Sequence, residues 1–397
     1  MPKSSYNILM YSHDTYGLGH IRRTMAIART LIDDGVNILI LTGSPIVGRF
    51  DFPEGVDFVR IPGMIKQSNE SYVPHSIRVA PEYAMNIRQE IITATAKAFN
   101  PALFIVDKAP LGLKREIVPT LHWFRQFKPE TRVVLGLRDI MDDAASTRKD
   151  WQRKDIYRAL EELYSEVWVY GEQRYYDPVS EYAIPDHVAP KLKFTGYIPR
   201  QVPAREHRER IRHEQQLNKK DKLVVVTTGG GGDGYKLLDT YLTMLETRDR
   251  IPFRTIMVSG PFLPRDKQDE LAERAKRCRI RFFTFFKKVE KIMAAADLVV
   301  SMGGYNTICE ILSLKKTSLI IPRETPRLEQ RIRADVLSRR GVLEYLPWDN
   351  LSPAPLYERI HHLLHDSREL RARLEDFPMP GLEFMRNRLE ELRKENS

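Results

Sequence analysis

The chain has 397 residues, 42% hydrophobic and 29% charged, a mix that excludes the disordered, collagen-like and membrane-embedded classes. A single core is rarely this large, so two domains of about 200 residues each are expected. Its 63 Lys+Arg against 53 Asp+Glu give +10 at pH 7, which suits an anionic partner: nucleic acid, a lipid surface or a phosphorylated small molecule.

The N-terminal MPKSSYNILMYSHD lacks the apolar core and small-residue cleavage site of a signal peptide. No window approaches the ~20 apolar residues of a spanning helix, so a cytoplasmic protein is expected. Strands are predicted at 6–12, 37–42, 57–61, 103–107, 132–137 and 166–171, with helical patterns at 19–34, 79–98, 112–127 and 151–164. Near-continuous apolar runs such as LFIVD (103–107) fit strands buried on both faces of a parallel sheet. In 111–128, Lys114, Arg115, Arg125 and Lys128 accompany Trp123 and Phe124. That segment could rest on an anionic bilayer, but Pro119 weakens the helix and core packing suits the aromatics better.

After TGYIPR (195–200) comes a charged stretch, 205–222, whose Glu206, Glu209 and Glu214 interleave with basic residues; it reads as a solvated helix. Strands then recur at 222–228, 254–260, 280–286, 297–301 and 317–322. The fold class is therefore α/β, a doubly wound sheet occurring twice. The expected domains are 1–200 and 201–375, with a C-terminal helix in 376–397 able to pack back on the first. Cys278 and Cys309, the two cysteines, exclude a disulfide framework and a thiolate zinc site and read as small buried hydrophobes.

Each half has a glycine-rich turn. In YSHDTYGLGHIRRT (11–24), Gly17 and Gly19 carry the first strand into a helix whose N-terminus holds His20. The positive helix end disfavours the imidazolium, so a neutral His20 able to accept a proton is expected, unless it merely caps the turn. Gly229-x-Gly231-x-x-Gly234 matches a dinucleotide fingerprint, but the next strand ends in Ser259-Gly260 without an acidic ribose partner. Tyr235 after Gly234 excludes a Walker A loop. In 297–337 a strand ends at Ser301, and Gly303-Gly304 turn into a helix beginning near Tyr305-Asn306-Thr307, an N-terminus suited to a diphosphate. Glu310 on that helix could grip a cis-diol or sit on the surface. The adjacent Glu329 and Gln330 suit sugar hydroxyls. Lys108, Arg138 and Asp139 follow first-half strand ends, where they could bind an anionic acceptor or pair with each other.

The motif order resembles the two-domain GT-B glycosyltransferases, in particular the family-28 type that includes the peptidoglycan N-acetylglucosaminyltransferase. The matching pieces are YGLGH (16–20), TGYIPR (195–200), VVVTTGGGG (224–232), AAADLVVSMGGYNTICEIL (294–312) and IIPRETPRLEQRIRADVL (320–337). The long first-half signature, with VDKAP, LGLRDIMDD and VWVYGEQRYYD, also looks like a group of predicted glycosyltransferases. The resemblance implies two Rossmann-like domains facing each other across a cleft, an N-terminal one for the acceptor and a C-terminal one for a UDP-sugar. It assigns Glu310 to the ribose diol, and Glu329 and Gln330 to hydroxyls of the transferred sugar. The backbone around Thr228, Gly229 and Gly230 and around Gly303, Gly304, Tyr305, Asn306 and Thr307 would hold the diphosphate. The segment Phe285–Val289, with Phe286 and Lys287, would face the uracil. His20 becomes the general base, with Gly17, Gly19, Lys108, Arg138 and Asp139 on the acceptor side. YGLGH in place of a glycine run, and Glu329 where the relatives carry Gln, are departures from the family pattern.

The implied reaction moves a hexose or N-acetylhexosamine to an acceptor hydroxyl with inversion, without metal or cofactor, in cell-envelope polysaccharide, glycolipid or secondary-metabolite synthesis. The acceptor would be a polysaccharide, a lipid-linked sugar or a small molecule, and the lipid-linked case admits peripheral contact with the cytoplasmic membrane. Asp142-Asp143 read as acceptor-side or structural rather than as metal ligands. A UDP-sugar 2-epimerase of the same fold and a non-catalytic nucleotide-sugar-binding protein are the alternatives. No nucleic-acid-binding signature is present.

Overall fold

Burial on both faces turns the apolar runs into parallel strands: LFIVD, EVWVY and LVVVT are buried at every position. The computed structural model describes residues 5–13, 19–66 and 71–395. It forms two units, one of Met1–Asp139, Ala144–Ile198 and Pro380–Ser397, the other of Ile140–Asp143 and Pro199–Met379.

Unit 1 contains β1 (Tyr6–Ser12), α1 (Gly19–Leu31), β2 (Val36–Thr42), β3 (Val56–Arg60), β4 (Met64–Lys66), β5 (Tyr72–Pro74), α2 (Pro81–Phe99), β6 (Leu103–Asp107), α3 (Val118–Phe127), β7 (Arg132–Arg138), α4 (Ala144–Arg153), α5 (Ile156–Leu163), β8 (Glu166–Tyr170), α6 (Pro178–Glu181) and β9 (Leu192–Phe194). Its seven-stranded sheet has the order β3-β2-β1-β6-β7-β8-β9, parallel throughout. Strand order reverses between β1 and β6, which pair with Tyr11 opposite Val106.

Two local expectations need correction, and one element was not expected. The helix read at 151–164 is two helices, separated by Asp155 in the left-handed region at φ 58°. The helix read at 112–127 begins at Val118, because Pro119 fits only its first turn, and Leu113–Arg115 form a 3-10 turn before it. The antiparallel pair β4-β5 has strands too short to show a periodicity. Of the aromatics near α3, Phe124 is buried and Trp123 half-buried, whereas Phe127 is 59% exposed.

Unit 2 contains α7 (Arg205–Glu214), β10 (Leu223–Thr227), α8 (Tyr235–Glu246), β11 (Arg254–Val258), α9 (Arg265–Arg277), β12 (Arg281–Phe283), α10 (Val289–Ala295), β13 (Leu298–Ser301), α11 (Tyr305–Ser313), β14 (Ser318–Ile320), α12 (Glu329–Arg339), β15 (Glu344–Tyr345), α13 (Pro353–His365) and α14 (Arg368–Glu375). Its sheet order is β12-β11-β10-β13-β14-β15, again parallel. Order reverses between β10 and β13, which end level with Thr227 opposite Ser301. The charged α7 buries Ile211 and lays the i,i+4 pairs Arg205–Glu209 and Arg210–Glu214 along its solvated side.

The last helix, α15 (Gly381–Glu395), belongs to unit 1. It buries Met385, Leu389 and Leu392, and Arg388 ion-pairs with Glu166 at 2.5 Å. Cys309 is buried as expected, but Cys278 at the end of α9 is partly exposed. Among the described residues no helix is long and apolar enough to cross a membrane.

Candidate functional sites at the two strand-order reversals

Open parallel sheets bind ligands beyond the carboxyl ends of their strands, where strand order reverses. In unit 1 that place lies between β1 and β6. α1 begins at Gly19 and sets His20 in its first turn, while β6 ends on Asp107. His20 Nδ1 lies 2.5 Å from Asp107 Oδ2. Arg23, one turn further along α1, donates to Asp107 Oδ1 through Nε at 3.0 Å and Nη2 at 2.5 Å.

Burial alone would raise the Asp107 carboxyl, but Arg23 and His20 outweigh it and hold the group well below the usual carboxylate range. An ionised carboxylate only accepts, so the Nδ1 proton points at Asp107 and the lone pair remains on Nε2. Burial pushes His20 down to about 4, against the pull of Asp107. The expected neutrality thus has desolvation as its leading cause, ahead of any helix-end effect. The His20 side chain keeps 16% of its surface exposed.

A buried polar network lies behind this pair. His13 meets His20 edge-on with ring centres 5.8 Å apart, and burial, with Lys108, keeps it neutral. The Tyr11 hydroxyl is 3.3 Å from His13 Nδ1 and donates to Glu116 Oε1 at 2.6 Å. Glu116 in turn takes two hydrogen bonds from Arg88, both 2.6 Å. Lys108, just beyond β6, and Arg138, the last residue of β7, are half-buried. Asp139 is 3% exposed and accepts the Tyr197 hydroxyl at 3.2 Å, so it braces the chain rather than facing solvent. Gly17 lies outside the described residues. Asp107 and Arg23 were not singled out from the sequence; the available signals were a carboxylate ending a buried strand and an arginine three residues after His20.

In unit 2 the turns after β10 and β13 come together. Gly229, at φ +66°, faces α11: a Cβ there would stand 3.7 Å from Thr307 Oγ1. Gly231, at φ +89°, lies against the next loop, and a Cβ would be 2.1 Å from the Ser259 carbonyl oxygen, a place only glycine can occupy. Phe262 N–H donates to Gly230 O at 3.0 Å, and Thr228 Oγ1 to Ser259 O at 2.5 Å. The glycine turn is therefore fixed by backbone packing.

At the start of α11, Asn306 Oδ1 accepts from Arg200 Nη2 at 2.6 Å, and Arg200 N–H donates to Ser313 Oγ at 2.8 Å. Arg200 Nη1 is buried without a hydrogen-bond partner. A cation and a helix N-terminus thus share one place, which favours an anion. Tyr305 lies beneath the buried Arg333, whose guanidinium is 5.6 Å from the ring centre. Glu310, one turn along α11, is 9% exposed.

Glu329 and Gln330 open α12. Asp142 Oδ1 accepts from Leu328 N–H at 2.7 Å, so this carboxylate caps α12, a structural role. Phe286 and Lys287 lie beyond the carboxyl end of β12, two strands from β10, with Phe286 edge-on to Phe283 at 5.2 Å. Arg200 and Arg323 are further residues not singled out in advance, although both stand inside segments that carried the family resemblance.

The profile of the glycosyltransferase family 28 C-terminal domain matches residues 223–383. A curated relative from Streptococcus uberis, named UDP-N-acetylglucosamine--N-acetylmuramyl-(pentapeptide) pyrophosphoryl-undecaprenol N-acetylglucosamine transferase, is 32% identical over 84 residues, 21% of this chain and 24% of its own. The chain thus matches about a quarter of that relative's length. Among solved structures, MurG of Acinetobacter baumannii superposes with a TM-score of 0.62 at 12% identity, over 98% of this chain and 99% of its own. Phytolacca americana UGT2, solved with UDP-2fluoro-glucose and pterostilbene, gives a TM-score of 0.66 at 12% identity over 98% of this chain and 100% of its own. At such identities the superpositions establish the fold, two Rossmann-like domains of GT-B type.

Proposed function

We propose that this chain, whose residues 223–383 match the glycosyltransferase family 28 C-terminal domain and which has the GT-B fold, transfers a hexose or N-acetylhexosamine from a UDP-sugar to an acceptor hydroxyl with inversion. The observation that carries the reading is the start of α11, where Arg200 with its unpartnered Nη1, the helix N-terminus and the Gly229 turn meet. A leaving diphosphate needs preorganised positive charge and N–H donors. These groups supply both, so the reading requires no metal. In this reading Glu310 takes the ribose diol, Glu329 and Gln330 the sugar hydroxyls, and the backbone of 285–289 the uracil.

Unit 1 supplies the base. The acceptor oxygen forms its bond to the anomeric carbon as the bond to the diphosphate breaks. UDP departs with the electron pair, and the acceptor proton passes to His20 Nε2. Asp107 holds the tautomer and stabilises the imidazolium as it forms. Half-buried Lys108 and Arg138 favour an anionic acceptor. The Streptococcus relative's name specifies a lipid-linked acceptor, whereas the Phytolacca structure holds a small phenolic molecule. We assign this chain one of these acceptor classes or a polysaccharide, with peripheral membrane contact in the lipid-linked case.

Calorimetric titration with UDP tests the donor half. Wild type should bind, and Glu310→Ala should bind about ten- to a hundredfold more weakly, the loss of one or two charge-assisted hydrogen bonds. Equal affinity in the two proteins would contradict the donor assignment.

A further inference from the structure

The loop after β14 carries Arg323, whose guanidinium joins two parts of the proposed donor site. Nη2 donates to Glu329 Oε1 at 2.7 Å, and Nε lies 2.8 Å from Asp233 Oδ2 in the glycine turn. Nη1 donates to Arg327 O at 3.0 Å and Thr325 O at 3.4 Å. The backbone N–H of Arg323 donates to Gln330 at 3.2 Å, which identifies the accepting atom as the amide oxygen and leaves the Gln330 NH2 to donate elsewhere. The Glu329 side chain is 8% exposed, and its second oxygen, Oε2, is buried without a hydrogen-bond partner.

We propose that Arg323, Glu329 and Asp233 make the sugar position selective for neutral, hydroxyl-bearing hexoses and against hexuronates, an inference that rests on the donor reading above. The cation is ion-paired within the chain: one guanidinium faces two carboxylates and two carbonyls, Nε meeting Asp233 as an ion pair outside hydrogen-bond geometry, so these three side chains together carry a net negative charge. Glu329 Oε2 can only accept, and the Gln330 NH2 can only donate. A sugar presenting two hydroxyls satisfies both, one donating and one accepting. A carboxylate would set lone pairs against Oε2 in a buried place, where an unmet charge is most costly. The pairing also accounts for an acid at position 329: a buried carboxylate needs a counter-charge, and Arg323 provides it.

The test is competitive binding of UDP-glucose and UDP-glucuronate, each referred to the affinity of the same protein for UDP alone. Wild type should favour UDP-glucose by about tenfold or more, the size of one poorly met charged contact. Glu329→Gln frees an Arg323 donor and turns the cluster neutral, so the ratio should move about fivefold or more toward UDP-glucuronate. The double variant Arg323→Met/Glu329→Gln removes the cation, and that gain should vanish. A structural brace alone would not shift the preference in opposite directions. UDP binding without sugar discrimination in wild type, an unchanged ratio in Glu329→Gln, or a gain kept by the double variant would each overturn this inference alone. Failure of wild type to bind UDP would overturn the donor reading and this inference together.

Discussion

At the residue scale, the His20–Asp107–Arg23 group links chemistry to stability. Burial holds His20 at about 4 in the folded chain, against about 6.5 for a free imidazole. Between those values the unfolded chain binds more protons, so stability falls as pH drops from about 6.5 toward 4 and this contribution levels off below. Asp107 has the opposite cause and the same acid-side outcome: its lowered pKa adds stability that is lost as pH falls below the ordinary carboxylate range. His20→Gln removes the first contribution. Thermal melts between pH 4 and 7 should show wild type losing more stability than His20→Gln on acidification; parallel curves would contradict the burial of a neutral imidazole. His20 was legible in the sequence because it follows a glycine turn. Asp107 was not, because 87 residues separate it from His20, and only the adjacency of β1 and β6 brings the two together.

At the element scale, the turn after β10 shows how a motif can be legible while its cause is not. The spacing of Gly229, Gly231 and Gly234 resembled a dinucleotide fingerprint, yet Gly231 is there to admit the Ser259 carbonyl. Gly231→Ala should force the two loops apart and destabilise the protein by about 1–3 kcal/mol in urea unfolding. Gly232→Ala is the control: a Cβ at Gly232 meets nothing within 4 Å, so its effect should be within about 0.5 kcal/mol. Equal effects of the two substitutions would refute the close-packing account. The same scale explains the helix errors. Neither the left-handed Asp155 that divides 151–164 nor the 3-10 turn at Leu113–Arg115 leaves a hydrophobic period to read. The small β-elements were missed for a related reason: β4, β5 and β9 have three residues each, too few to show alternation.

At the scale of the whole molecule, strand–helix alternation was enough to establish a twice-occurring doubly wound α/β fold. It did not reveal sheet order, and so could not tell which strand ends would be neighbours. That order decides the chemistry, because each candidate site forms where β1 meets β6 or β10 meets β13. The surplus of positive charge, +10 over the chain, gains a local meaning where an arginine meets a helix end, as Arg200 does beside Asn306. The central claim is transfer, with His20 as base. Its most direct test is UDP release from UDP-hexoses, measured with and without a panel of lipid-linked, polysaccharide and phenolic acceptors. The account predicts release that depends on acceptor and falls about 10²–10⁴-fold in His20→Ala. Acceptor-independent interconversion of the UDP-sugar, or a His20→Ala variant that keeps the full rate, would contradict it.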